Sequence, residues 1–260
     1  MSSPTDDPSA AFYEGMSPHY HLFFDDWEAA VVGQGRVLDR LVAGLRGRGP
    51  WRILDAACGV GTQALGLALC GHDVLGTDLS APALARARRE AARLGVSLPT
   101  RVADFRALSA AIPERFDVAV VLDNSLAHLL TQDELTTAAQ ELAAVLVPGG
   151  LLLVSIRDYA AIRAERPRFT SARVMGSGDG RRIAFQIWDW DDDGQCYGLT
   201  QYLVRHRVDG VETLTFRSRI RAVARAALTA ACAAAELRDL SWIEPADSGF
   251  YQPILAARRP

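Results

Sequence analysis

The residues of this chain best suited to chemistry stand at the ends of apolar runs. The run WRILDA closes on Asp55 and is followed by Ala56-Ala57-Cys58-Gly59-Val60-Gly61-Thr62. Gly59 and Gly61 permit a tight turn and close backbone approach, and a helix opening behind them offers unpaired N–H groups to a ligand. HDVLGTD ends on Asp78, PTRVADF on Asp104 and Phe105, FDVAVVLD runs into Asn124 and Ser125, and LLLVSI runs into Arg157. A carboxylate at the tip of the second strand can accept from both hydroxyls of a ribose. Asp104 can accept from an adenine amino group while Phe105 stacks on the ring. The planar fork of Arg157 suits a carboxylate held by two parallel hydrogen bonds; the competing reading pairs it with Asp158 or another acid. Each acid alone can also be read as a helix cap, and Asp104 equally well so. Placed at the carboxyl ends of successive strands, they converge on one crevice.

Such strand ends need a frame to hold them. The chain has 260 residues, 49% hydrophobic and 23% charged, enough for one large α/β domain with a small insertion. Residues 1 to about 10 are polar and expected to be disordered. The aromatic segment FYEGMSPHYHLFFDDW and a helix carrying Val31, Val32, Leu38, Leu41 and Leu45 follow. Strands and helices then alternate. Ser80, Pro82 and Gly95 punctuate one helix, and Thr131 with Glu134 opens another with a capping-box pattern, running to a turn at Pro148-Gly149-Gly150. This alternation predicts a parallel sheet with helices on both faces. Beyond Ile162 the pattern changes. RRIAFQIWDWD, YGLTQYLVRHRV and VETLTFRSRIRAV read as three longer strands joined by the turns DDDG and VDG. A helix at about 224–236 and the strands LRDLSWI and YQPILAAR close the chain. The organisation expected is an N-terminal lid (1–49), a cofactor-binding core (50–160), an antiparallel substrate cover (161–222) and a return to the core (223–260).

Composition narrows the classes of function. The formal net charge is −3, which lacks the basic excess of a typical nucleic-acid binder. Four scattered cysteines form no CxxC pair, which favours reduced thiols over a disulfide framework or a zinc site. The stretch MSSPTDDPSA lacks a basic region and an apolar core, and no run is long enough to span a bilayer. The expectation is a cytoplasmic protein with no nucleic acid, no membrane, no metal, and self-association into a homo-oligomer left open. Asp189, Asp191 and Asp193 imitate the start of a calcium loop, but position twelve is Thr200 and the flanks read as strands, so a hairpin turn is expected.

GxGxxA also satisfies a dinucleotide fingerprint, so a nicotinamide dehydrogenase is a competing reading. Asp55, just ahead of the glycines, suits a ligand with a cationic group better than a pyrophosphate. Together, ILDAACGVGT, the strand-end Asp78, ADF and LVPGG before an apolar strand resemble the class I S-adenosylmethionine-dependent methyltransferases over roughly residues 50 to 157. That resemblance implies an α/β, Rossmann-like, mostly parallel seven-stranded sheet with a small antiparallel β insertion. It also implies S-adenosyl-L-methionine as cofactor, with its methionine part on residues 57–61, its ribose on Asp78 and its adenine on Asp104 and Phe105. The cofactor set so implied is Asp55, Ala57, Gly59, Gly61, Asp78, Leu79, Asp104, Phe105, Leu122 and Ser125, with Tyr20 and Trp27 from the aromatic segment.

The runs NSLAHL and IRDY are similar to the glycine and sarcosine N-methyltransferase group. By that resemblance Arg157 binds the acceptor carboxylate, Asn124 contacts the acceptor, Ser125 lies by the cofactor, and Tyr202 in TQYLV is a pocket tyrosine. Methyl transfer needs orientation more than covalent help. Asn124, Arg157, Tyr20 and Tyr202 are therefore the candidates for orienting the acceptor, with the N-terminal segment excluding water. His128 is a candidate base that as a rule caps or packs at such a position. Arg217, Arg219 and Arg221 alternate on one strand face, either towards the pocket, implying a larger or more acidic acceptor than glycine, or towards solvent. The resemblance thus implies methyl transfer by in-line displacement to a small-molecule acceptor, the amine of an amino acid or other carboxylate-bearing compound; a small-molecule O-methyltransferase of secondary metabolism and a non-catalytic S-adenosylmethionine-binding module are the alternatives.

Overall fold

Ile53 and Leu54 are adjacent in one strand, fully buried, and packed into different cores, because successive strand side chains point to opposite faces. A strand covered on both sides belongs in a parallel sheet between two helical layers. The computed structural model describes residues 8–260, with side chains from Ala10 onward, and contains that sheet.

The chain opens with α1 (Pro8–Met16), a 3-10 turn (Ser17–Phe23) and α2 (Trp27–Arg46). The expected disorder at residues 1–7 lies outside the described residues, whereas residues 8–10 already belong to α1. There follow β1 (Arg52–Asp55), α3 (Thr62–Leu69), β2 (Asp73–Asp78), α4 (Ala81–Leu94), β3 (Thr100–Val102), α5 (Leu108–Ala111), β4 (Phe116–Val121), α6 (Gln132–Ala144) and β5 (Leu146–Ser155). After α7 (Tyr159–Glu165) come the antiparallel strands β6 (Arg173–Met175), β7 (Arg182–Trp190), β8 (Cys196–Arg207) and β9 (Gly210–Arg221). α8 (Arg225–Ala234), β10 (Arg238–Ile243), α9 (Pro245–Ser248) and β11 (Ile254–Arg258) return to the main sheet.

The main sheet has seven strands in the order β10-β11-β5-β4-β1-β2-β3, and β6–β9 form a separate four-stranded sheet. β1 to β5 run parallel, and β11 is antiparallel to both neighbours. The order reverses between β1 and β4, so the crevice at their carboxyl ends is where such a sheet binds ligands. Asp55, Asp78, Asn124 and Arg157 all stand at that edge.

Local sequence sets the helices that frame it. Ser80 caps α4 by accepting from the Ala83 amide at 3.2 Å, and Gly95 ends it at φ 70°. Thr131 and Glu134 form a reciprocal capping box on α6, each cap contributing about 1 kcal/mol. α2 crosses α3 at two glycines: a Cβ on Gly35 would lie 2.3 Å from the Gly66 carbonyl. Trp27 Nε1 donates to Thr62 Oγ1 at 3.2 Å across the same contact, which fixes the start of α3.

Three local expectations change. Residues 148–150 are not a turn before β5; they lie within it, with a pairing irregularity opposite β4. β3 covers only part of PTRVADF, and the insertion gains the short edge strand β6. Residues 191–194 form the β7–β8 turn, with Gly194 at φ 64°, and no cluster suited to a metal ion occurs among the described residues. On β9, Arg217 and Arg219 pair in register with Thr200 and Gly198, on the face opposite Tyr197, Leu199 and Gln201. Both are exposed, Arg219 in an ion pair with Asp191, whereas Arg221 is half-buried and donates to Gln132 Oε1 at 3.0 Å, so the solvated-face reading holds for Arg217 and Arg219 alone. No helix among the described residues is long and apolar enough to cross a membrane.

Candidate active site

The loop after β1 is shaped by one carboxylate. Asp78 Oδ2 accepts from the Gly59 amide at 2.9 Å and Oδ1 from the Ser80 amide at 2.8 Å, so the tip of β2 holds the glycine loop. Gly61, at φ 94°, supplies the left-handed residue that starts α3. A Cβ on Gly59 would meet nothing within 4 Å, because the loop opens onto a cavity. That cavity is lined by Ala57, Gly59, Asp78, Leu79, Phe105 and Ser125, together with Tyr13, Tyr20 and His128.

Asp55 lies beneath this loop. Its Oδ1 receives a long contact from the Ala57 amide at 3.4 Å, while buried Oδ2 has no hydrogen-bond partner. Burial, aided by the charge of Asp78, pushes its carboxyl up to about 7. An orphaned buried oxygen below a backbone cradle fits a cofactor that brings a positive amino group and a sulfonium. Burial likewise raises Asp78 above the usual carboxylate range, against the opposing pull of the Ser80 and Gly59 amides.

A second cavity adjoins the first between the main sheet and the four-stranded sheet. Tyr13, Tyr20, Asp123 and His128 line both. β4 ends in two consecutive non-glycine residues at positive φ, Asp123 at 56° and Asn124 at 68°, each costing of order 1–3 kcal/mol. Asn124 Oδ1 accepts from the Arg157 amide at 3.2 Å, and Nδ2 donates to Tyr159 Oη at 2.9 Å. Arg157 lines the second cavity. Its Nη1 donates to Gln186 Oε1 at 3.3 Å, and its guanidinium lies 5.2 Å from the Trp188 ring centre. Gln186 is fixed in turn by Trp188 Nε1 at 2.9 Å and by its own amide donating to Gln201 at 2.8 Å. No carboxylate among the described residues pairs with Arg157; Asp158 instead lies 3.9 Å from Arg225. Burial disfavours the charge on Arg157, yet the oxygens of Tyr197, Tyr159 and Asp123 outweigh it and raise its pKa.

Asp123 escaped the sequence reading. Its carboxylate accepts from Tyr20 Oη at 3.0 Å and interacts with Tyr251. Burial raises it above the usual range, against those two phenols and Arg157. The signal was present, since Asp123 ends an apolar strand as Asp55 and Asp78 do. His128 is held between Tyr13 Oη at 3.1 Å and Ser218 Oγ at 3.2 Å.

Several expected site residues stand elsewhere. Asp104 does not line the cavity; its carboxylate is taken up by Arg106 at 2.7 Å, an ion pair made two residues away. Leu122 is buried in the core, and Trp27 sits behind Thr62. Tyr202 is on the far face of the small sheet, stacked on Phe185 at 4.8 Å; Tyr197, of opposite strand parity, takes the pocket position. Gly61 and Asp55 shape the loop from outside the lining.

The methyltransferase domain family matches residues 53–150. A glycine/sarcosine N-methyltransferase of Halorhodospira halochloris is 34% identical over 137 residues, 53% of this chain and 50% of that protein. The chain spans about half the length of the curated relatives it matches. Among solved structures, the CcbJ methyltransferase of Streptomyces caelestis superposes with a TM-score of 0.75 at 20% identity, over 96% of this chain and 98% of that one. The sugar N-methyltransferase KedS8 of Streptoalloteichus does so with 0.74 at 19% identity, over 92% of each; at these identities the likeness concerns the fold. Residues 53–150 thus belong to the methyltransferase domain family, and over about half its length the chain is similar to the glycine/sarcosine N-methyltransferases.

Proposed function

We propose that this protein transfers the methyl group of S-adenosylmethionine to the amine of a small, carboxylate-bearing acceptor, an amino acid or a close analogue. The observation that carries this reading is Arg157: a cation facing the second cavity, positioned by neutral Gln186 and Trp188, with no carboxylate within ion-pair distance among the described residues. A bidentate carboxylate is its natural complement. The names of the sequence relatives, glycine/sarcosine N-methyltransferases, support the same acceptor class.

When bound, the cofactor supplies an electrophilic methyl group on a cationic sulfur. Asp78 and the glycine loop would hold it, with the buried carboxyl of Asp55 beneath. Asn124 ties the end of β4 to the backbone of Arg157, so the acceptor clamp and the cofactor cavity share one rigid edge. Held orientation of this kind can lower a barrier by roughly 7–11 kcal/mol. Tyr13 and Tyr20 cover the junction, and burial keeps both phenols protonated as donors.

A hydroxyl acceptor is the second reading, because His128 lines both cavities as a base would. Both its ring nitrogens already have hydroxyl partners, however, which supports the amine. The test is turnover of methyl-labelled S-adenosylmethionine against matched amino acids, carboxylate-free amines and phenols. Label transfer to amino-acid nitrogen is expected; transfer confined to phenols would overturn the reading.

A further inference from the structure

Asp123 and Arg157 carry opposite charges and line the same cavity, but they do not form an ion pair within 4.0 Å. Opposite charges left facing one space without contact suit a ligand that carries both. We infer that Asp123 selects an ammonium-bearing acceptor and takes the ammonium proton, so that the acceptor binds as a zwitterion, with its carboxylate on Arg157 and its nitrogen at Asp123. This rests on the proposed function and adds to it the residue that distinguishes an amino acid from the corresponding hydroxy acid.

The position supports the role. Among the charged side chains lining the second cavity, Asp123 alone also lines the cofactor cavity, so a nitrogen at its carboxylate stands where the two spaces meet. The two left-handed residues at 123 and 124 turn the chain sharply at the end of β4. Below, the Asp123 amide donates to Ser155 Oγ at 2.8 Å, and Ser155 Oγ donates to Gln252 Oε1 at 2.8 Å, which anchors the backbone from the neighbouring strand. The titratable groups that face Asp123 are the phenols of Tyr13, Tyr20 and Tyr251 and the Arg157 guanidinium.

The proton step balances simply. An N–H bond of the R–NH₃⁺ acceptor breaks and an O–H bond forms on Asp123, leaving neutral R–NH₂ with its lone pair and a neutral carboxyl. The proton returns to solvent when the product leaves. Burial raises the Asp123 carboxyl and so narrows the gap between it and an ammonium group. The phenols of Tyr20 and Tyr251 stabilise the carboxylate when the acceptor is absent.

The test compares wild type with Asp123→Asn, which keeps the shape and an oxygen for Tyr20. Alanine and lactate, with glycine and glycolate, are titrated calorimetrically into each protein with S-adenosylhomocysteine present, and turnover of the two amino acids is followed from pH 6 to 10. Wild type is expected to prefer the amino acid in each pair. Asp123→Asn is expected to lose at least about 30-fold of that preference while S-adenosylhomocysteine binds both proteins alike. The variant's kcat/KM is expected to climb about tenfold per pH unit towards the amine's own pKa, where wild type is flatter. An unchanged amino/hydroxy ratio and pH profile in Asp123→Asn, in a wild type that does methylate amino acids, overturns this inference alone. A wild type that methylates phenols and no amine overturns the proposed function with it.

Discussion

The side chain of Asn124 holds the backbone of Arg157: its Oδ1 accepts the Arg157 amide at 3.2 Å, while its Nδ2 donates to Tyr159 Oη at 2.9 Å. One buried amide thus locks the end of β4, which borders the cofactor cavity, to the end of β5, which presents the acceptor clamp. Asn124→Ala leaves a buried amide and a phenol with a lost partner and places alanine at φ 68°. A stability loss of about 2–4 kcal/mol is expected, with a raised acceptor KM. Urea unfolding and steady-state kinetics on the same preparation check both.

Asp55 gives the protein a pH dependence of defined sign. Its folded carboxyl is pushed up to about 7, whereas an unfolded aspartate titrates near 3.9. Between roughly pH 4 and pH 7 the folded protein holds a proton that the unfolded chain has released, so this group's contribution to stability falls as pH rises through that window. Asp55→Asn removes the fall and is expected to exceed wild type at pH 8 by up to about 4 kcal/mol. Affinity for S-adenosylmethionine is expected to drop in the same variant. Thermal unfolding across the pH range, read as wild type minus variant, isolates the effect.

The α2–α3 crossing sets the cofactor loop from behind. Gly35→Ala drives a Cβ into the Gly66 backbone and is expected to destabilise by about 3 kcal/mol and weaken S-adenosylhomocysteine binding. Gly44→Ala, on the same helix and facing open space, is expected to stabilise by up to about 1 kcal/mol with binding unchanged. Differential scanning calorimetry and titration of the pair provide the contrast.

Strand parity on β8 separates two tyrosines. Tyr197 lies in the acceptor cavity, 3.3 Å from Tyr159 Oη, so Tyr197→Phe is expected to raise acceptor KM about tenfold. Tyr202 stacks on Phe185 on the opposite face, and Tyr202→Phe is expected to leave kcat/KM within about twofold. Kinetics on both variants distinguish the faces.

Much of the fold was legible because the signals are local. Ser80 and Gly95 bracket α4, Thr131 and Glu134 open α6, and unbroken apolar runs mark strands covered on both faces. The cofactor loop was equally visible, since Gly59, Gly61 and Asp78 sit at fixed offsets from those runs. What stayed hidden depends on register or on partners distant in sequence. The family resemblance points to Tyr202, but β8 has large side chains in both of its alternating series, and only its pairing with β7 reveals which series faces the sheet beneath. Asp104 looked free because nothing in ADF announces that Arg106 will close on it. Asp123 was passed over beside Asn124, since the strained turn that aims both residues is a backbone property.

The most direct measurement is the effect of Arg157→Gln on acceptor and cofactor separately. Glutamine keeps a polar group beside Gln186 but removes the charge and the fork. The kcat/KM for an amino-acid acceptor is expected to fall at least about 100-fold, while the Kd for S-adenosylhomocysteine stays within about twofold. Unchanged acceptor kinetics, or an equal loss of cofactor affinity and stability, would contradict the carboxylate clamp.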